Sequence, residues 1–93
     1  VARIRFLFFP ERAVAKLMRR GISRVEASQL LRNSHVLAAN PHPRAPGGRF
    51  LIGRTDGGRV LTLAVYPTHD PALWIVHTGW DATPEQARAL DRA

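Results

Sequence analysis

Three short runs rich in apolar residues, with few polar positions among them, occupy the second half of the chain. In the first third apolar residues recur at helical spacing. Phe50 to Thr55, Arg59 to Tyr66 and Leu73 to Trp80 each read as a strand. Asp56-Gly57-Gly58 separates the first two, and an Asp-Gly pair between alternating apolar runs predicts a tight hairpin. Pro67 to Pro71 connects the last two strands. In the central strand Leu61, Leu63 and Val65 form one row and are the core candidates; Val60, Thr62, Ala64 and Tyr66 form the other. In the last strand neither row is plainly polar, which predicts partial cover on both faces.

Ile4 to Phe9 is a short apolar and aromatic run and reads as a buried strand ended by Pro10. Pro10 suits the first turn of a helix. Glu11 to Arg20 places Val14, Leu17 and Met18 at helical spacing, leaving Arg12, Lys16, Arg19 and Arg20 for the other face. Gly21 closes this helix as its C′ residue. Ser23 and Glu26 match a capping box, with Ile22 and Ala27 as a hydrophobic staple across the second helix start. That helix runs to about Asn33 and buries Val25, Ala27, Leu30 and Leu31. His35 sits at its end as a partner for the helix dipole. Val36 to Ala39 reads as a brief extended piece, and Asn40 to Gly48 as a proline-stiffened loop. Thr83-Pro84-Glu85-Gln86 starts a terminal helix reaching about Asp91. The order predicts an α+β domain over 1–93, β-α-α-β-β-β(-α), with helices packed on one face of a small antiparallel sheet.

Charge changes this picture more than composition does. The net charge is +7, and twelve of the fourteen basic residues precede position 61, with three of the seven acidic ones. A basic body steers toward polyanions, although a compositional arginine bias on a solvated surface would look the same. The chain has no cysteine, which excludes disulfides, thiolate catalysis and cysteine-based zinc sites. Its four histidines have no metal-ligand spacing, so neither metal nor cofactor is expected. No apolar run approaches a membrane span and no signal peptide is visible, which predicts a cytoplasmic protein with no membrane partner. No Walker loop, nucleophile elbow or carboxylate pair is present.

The candidate chemistry lies between Arg49 and Trp80. Arg49 and Arg54 lie on the first strand of the hairpin and Arg59 opens the next. Guanidinium groups on a sheet are held at fixed separations and suit regularly spaced phosphates, so RNA, DNA or an acidic protein is the expected partner. The pairing register decides which arginine points where, since a one-residue slip inverts the faces. Metal-free RNA cleavage needs a base for the ribose 2′-proton, cations around the phosphorus and an acid for the leaving oxygen. Arg54 and Arg59 are candidates for the phosphate clamp, or else they solvate a turn. His77 is the candidate base or acid, or else a satisfied half-buried histidine. Tyr66 and Trp80 are candidates for stacking on bases, or else packing residues.

Arg20-Gly21-Ile22-Ser23 with Glu26-Ala27, Gly48-Arg49-Phe50 with Ile52-Gly53, Gly58-Arg59 with Val65-Tyr66, and Thr78, Trp80, Ala82 and Glu85 together resemble the BrnT family. These are small toxins of type II toxin–antitoxin systems with a RelE-like fold, and the resemblance covers almost the whole chain. It implies an endoribonuclease neutralised by a cognate antitoxin, as a dimer or a toxin–antitoxin hetero-oligomer. It carries over a hydroxyl on the last strand as Thr78, which joins Arg54, Arg59 and His77 as a catalytic candidate. Two positions depart from the family pattern. The acidic residue before Arg49 is absent, and Trp80 stands where the family has an arginine. An indole stacks on a base but does not neutralise a phosphate. The rival implication is a RelE-fold module that binds RNA or an acidic partner without cleaving it.

Overall fold

Both side-chain rows of the central strand are buried, so layers cover the sheet on two sides. The computed structural model describes residues 4–93. Its strands are β1 (Phe6–Phe8), β2 (His35–Ala39), β3 (Arg49–Arg54), β4 (Val60–Pro67) and β5 (Leu73–Asp81), side by side in the order β1-β5-β4-β3-β2. Helix α1 (Glu11–Arg19) and helix α2 (Arg24–Ser28), continued by a 3₁₀ turn (Gln29–Leu31), carry the chain from β1 to β2. Helix α3 (Pro84–Asp91) closes the fold.

The predicted core row is the main one. Leu61, Leu63 and Val65 join Leu51 and Val76 in one cluster with Leu17 of α1 and Ala27 of α2. The opposite row is covered as well. Ile52 and Thr62 are buried there, and Thr62 donates to Gln86 Oε1 of α3 at 2.8 Å. The expectation that all helices pack on one face is therefore corrected. The second row of β3 and β4 is too apolar to face water, and α3 covers it.

The sheet is also mixed, not antiparallel as expected. The helices take the chain to the far edge, and three antiparallel pairings bring β5 back beside β1 in the same direction. As an edge strand, β1 is covered on one face only. Ile4 and Leu7 turn to the core, whereas Phe6 and Phe8 are 60% and 55% exposed, which corrects the buried-strand expectation. On α1 the core pair is Ala13 and Leu17, and Met18 faces solvent. Val25, expected in the core, is exposed because it lies two residues from buried Ala27 and so on the opposite side of α2. His35 does not end a helix; it opens β2 and places Nδ1 2.9 Å from Asn33 O.

Local signals set the helix ends. Gly21 adopts φ +71°, and the N–H groups of Gly21 and Ile22 donate to Met18 O and Leu17 O, each at 3.0 Å, in a Schellman pattern. Ser23 and Glu26 close a reciprocal capping box, as do Thr83 and Gln86. The β3–β4 turn is tied to the 3₁₀ segment. Asp56 pairs with Arg32, and its N–H donates to Gln29 Oε1 at 3.0 Å.

Position 79 fixes where α1 sits. A Cβ there would lie 2.5 Å from Leu63 Cδ2, 2.8 Å from Leu17 Cδ2 and 3.0 Å from Thr62 O. Both leucines are fully buried and have little room to move. Gly79→Ala is expected to destabilise the protein by about 1–3 kcal/mol through overpacking. Urea unfolding checks this, and an unchanged midpoint would show that α1 is not seated so closely.

Candidate anion-binding cleft

A β-bulge on β5 places the central residue of the site. Ala64 pairs with Thr78 and Val65 pairs with Val76, which leaves His77 as the extra residue without a partner on β4. Bulges re-aim side chains and bend the strand. Here the imidazole meets α1, with Lys16 Nζ 3.5 Å from His77 Nε2. The other wall comes from the loop between β2 and β3. That loop is folded tightly: Gly47 adopts φ +80° against Pro67, and Gly48 donates to Ala45 O at 3.1 Å. It brings Arg44 toward β5.

The result is a cleft of about 300 Å³ lined by Lys16, Arg19, Arg20, Arg44, His77 and Thr78. Among the described residues, no carboxylate lines it. Arg20 Nη1 donates to Gly79 O at 2.9 Å, and its guanidinium lies 5.8 Å from the Trp80 ring centroid. Burial, reinforced by Lys16, Arg44 and Arg12, holds the His77 imidazole below the ordinary histidine range. At neutral pH the cleft therefore presents an uncharged imidazole among fixed cations. A convergence of unpaired cations attracts a phosphate-bearing or carboxylate-bearing ligand. Two other clefts each include an arginine paired with a carboxylate. The larger cleft between the start of β2 and α3 contains the Arg54–Asp91 pair, and the one between β1 and the 3₁₀ turn includes Arg32, held by Asp56.

The arginines of the hairpin do not form one array. Arg54 faces the α3 side and donates to Asp91 at 2.8 Å. Arg59 is a clasp. It donates to Asp81 through Nε at 2.6 Å and Nη2 at 3.0 Å, to Gly21 O at 2.9 Å, and to Glu26 Oε2 at 3.3 Å. The pair with Arg59 holds the Asp81 carboxyl below the usual carboxylate range. The Ser23 N–H does the same for Glu26, with Arg59 adding to it. Arg49 is exposed at the other end of β3, and among the described residues it forms no ion pair. The phosphate clamp expected of Arg54 and Arg59 is thus replaced by three structural ion pairs, Arg54–Asp91, Arg59–Asp81 and Arg59–Glu26.

His77 and Thr78 do come together in the cleft. Tyr66 lies beside them, lining a small cavity of about 20 Å³ with Asn40 and His77. Trp80 is half-buried: its Nε1 donates to Gln86 Oε1 at 3.2 Å and its ring meets Phe50 edge-on at 5.5 Å. Its stacking partner is Arg20, not a free surface. The α1 cations were visible in sequence as one helical face, but nothing in the spacing joined them to His77 or to Arg44. No protein-family model, curated protein or solved structure matches the chain.

The pKa shifts give stability a defined pH dependence. His77, Asp81 and Glu26 all have folded values below their ordinary ones, so protonation favours the unfolded chain. Their contributions are full above the ordinary values and are lost as pH falls through the folded ones. Urea midpoints are expected to fall first below about pH 6.5, as His77 protonates, and again below about pH 4. His77→Gln should flatten the first limb and leave the second. A first limb of the same slope in that variant would refute the assignment.

Proposed function

We propose that this protein is a small basic toxin with a RelE-like fold that cleaves RNA without a metal and is masked by a cognate antitoxin. One observation carries the reading: cations from α1 and the β2–β3 loop converge on an uncharged imidazole in a cleft that no described carboxylate lines. Phosphodiester cleavage by the neighbouring 2′-hydroxyl asks for that set, a neutral base beside fixed positive charge. The BrnT resemblance supports it independently. The substrate is RNA, since DNA has no 2′-hydroxyl to attack. The site is His77 and Thr78 with Lys16, Arg19, Arg20 and Arg44, and it works in the cytoplasm. Arg54 and Arg59 hold the fold.

A second reading, a RelE-fold module that binds RNA without cutting it, is favoured by one observation. Trp80 replaces the family arginine, and its face is already occupied by Arg20.

Total RNA incubated with the pure protein in a chelator separates the two. Cleavage that disappears in His77→Ala supports the enzyme. Salt-sensitive gel retardation of intact RNA supports the module, and the absence of both effects sinks the toxin reading and the module alike. Arg19→Ala combined with Arg44→Ala should weaken RNA binding on every sequence. It should also reduce the slope of log affinity against log salt by about 1 for each phosphate that the variant no longer neutralises. Arg54→Ala, on the opposite face, should leave that slope unchanged.

A further inference from the structure

The chain contains thirteen arginines and a single lysine. That lysine, Lys16, stands in the cleft with Nζ 3.5 Å from His77 Nε2. The difference in side chain matters chemically. A guanidinium stays protonated throughout the working range of proteins, so Arg19, Arg20 and Arg44 stabilise charge but have no proton to give. An ammonium can release one. An ammonium also has three donors and no acceptor, so the contact with His77 uses the imidazole lone pair. Nε2 is then the unprotonated nitrogen and Nδ1 carries the hydrogen. Among the described residues that line the cleft, the lysine ammonium thus lies against the imidazole.

We propose that His77 is the general base and Lys16 the general acid of RNA cleavage in this cleft, and that the proton returns directly from one to the other. The inference rests on the ribonuclease reading above. In the resting protein the ammonium covers Nε2. A phosphate entering the cleft draws the ammonium toward its oxygens and uncovers the lone pair. Nε2 then takes the proton of the ribose 2′-hydroxyl as O2′ attacks the adjacent phosphorus. The O2′–P bond forms, the P–O5′ bond breaks, and the electron pair left on O5′ takes a proton from Lys16 Nζ. The products are a 2′,3′-cyclic phosphate and a 5′-hydroxyl end. The protein is left with an imidazolium and a neutral amine. Transfer of the proton from Nε2 to Nζ, across the contact seen in the resting state, restores both. Water, metal and oxidant are not consumed.

A short RNA with one scissile 5′-oxygen replaced by sulfur tests this, because sulfur departs without being protonated. Lys16→Met and Lys16→Arg are expected to cleave the ordinary RNA about 10²–10⁴-fold more slowly than the native protein. On the sulfur-containing RNA both should recover to near the native rate, whereas His77→Ala should be slow on both. Lys16→Arg keeps the charge, so its recovery separates proton donation from electrostatics, and it gives the readout should Lys16→Met fail to fold. Native-like cleavage of ordinary RNA by Lys16→Arg, or equal impairment of it on both substrates, overturns the acid role. If the native protein cuts neither RNA, the ribonuclease reading fails first and takes this inference with it.

Discussion

Position 79 has room for a hydrogen atom and nothing larger, and the seating of α1 depends on that. Leu63 of the sheet and Leu17 of the helix close over Gly79 from two sides. The helix axis is thereby held close to β5, near enough for Arg20 to reach Gly79 O and for Lys16 to reach His77. Two features keep the helix from sliding. Behind its C-terminus, Arg59 ties the carbonyls of Arg20 and Gly21 to Asp81 at the end of β5. Further along β5, the bulge at His77 turns the imidazole toward Lys16. A side chain at 79 would push α1 outward and open both contacts, so core packing and cleft geometry share one constraint.

The cleft keeps its charge because the carboxylates lie elsewhere. Of seven acidic residues, Glu26, Asp56, Asp81 and Asp91 pair with Arg32, Arg54 and Arg59. Those arginines fasten the turn, the terminal helix and the helix junction. Among the arginines that form no ion pair in the described residues, Arg19, Arg20 and Arg44 line the same cleft. Gathering like charges beside a half-buried imidazole costs stability, and such local conflict is characteristic of sites built to bind. Solvent screens exposed charges, so the repulsion is modest while the cleft is empty. A phosphate would turn it into attraction without any rearrangement of the scaffold.

Local signals were legible in the sequence and long-range ones were not. Ser23 with Glu26, and Thr83 with Gln86, fixed two helix starts from residue identity alone, because a capping box is completed within four residues. The alternation of Leu61, Leu63 and Val65 identified the core row for the same reason. The pairing of β1 with β5 was not visible, since it joins residues more than sixty positions apart. The bulge was invisible too. Residues 73 to 80 have no plainly polar row whose interruption would mark a bulge, and only the register with β4 shows that His77 is the extra residue. That hidden shift is why His77 could be named a candidate but not joined to Lys16. Gly58-Arg59 carried a signal of a different kind. Its prominence in the pattern pointed toward chemistry, whereas the side chain is engaged by Asp81 and Glu26 and holds the scaffold.

Trp80 shows how an aromatic side chain on one element can hold a cation from another. On the BrnT-like reading an arginine belongs at that place on the last strand, and an indole brings no charge. Here the indole is fixed, with Nε1 donating to Gln86 and its ring perpendicular to that of Phe50, so it is a rigid platform. Arg20 lies over the indole ring from the end of α1 and anchors to Gly79 O one residue away. A guanidinium over an aromatic face is held by the ring quadrupole, by about 0.5–1 kcal/mol at an exposed site. The strand therefore supplies the surface and the helix supplies the charge. An arginine borne on β5 itself would be held by its own strand. Arg20 reaches the Trp80 face and Gly79 O from α1, whose seating against β5 depends on the bare Cα at position 79, so its place in the cleft traces back to that position.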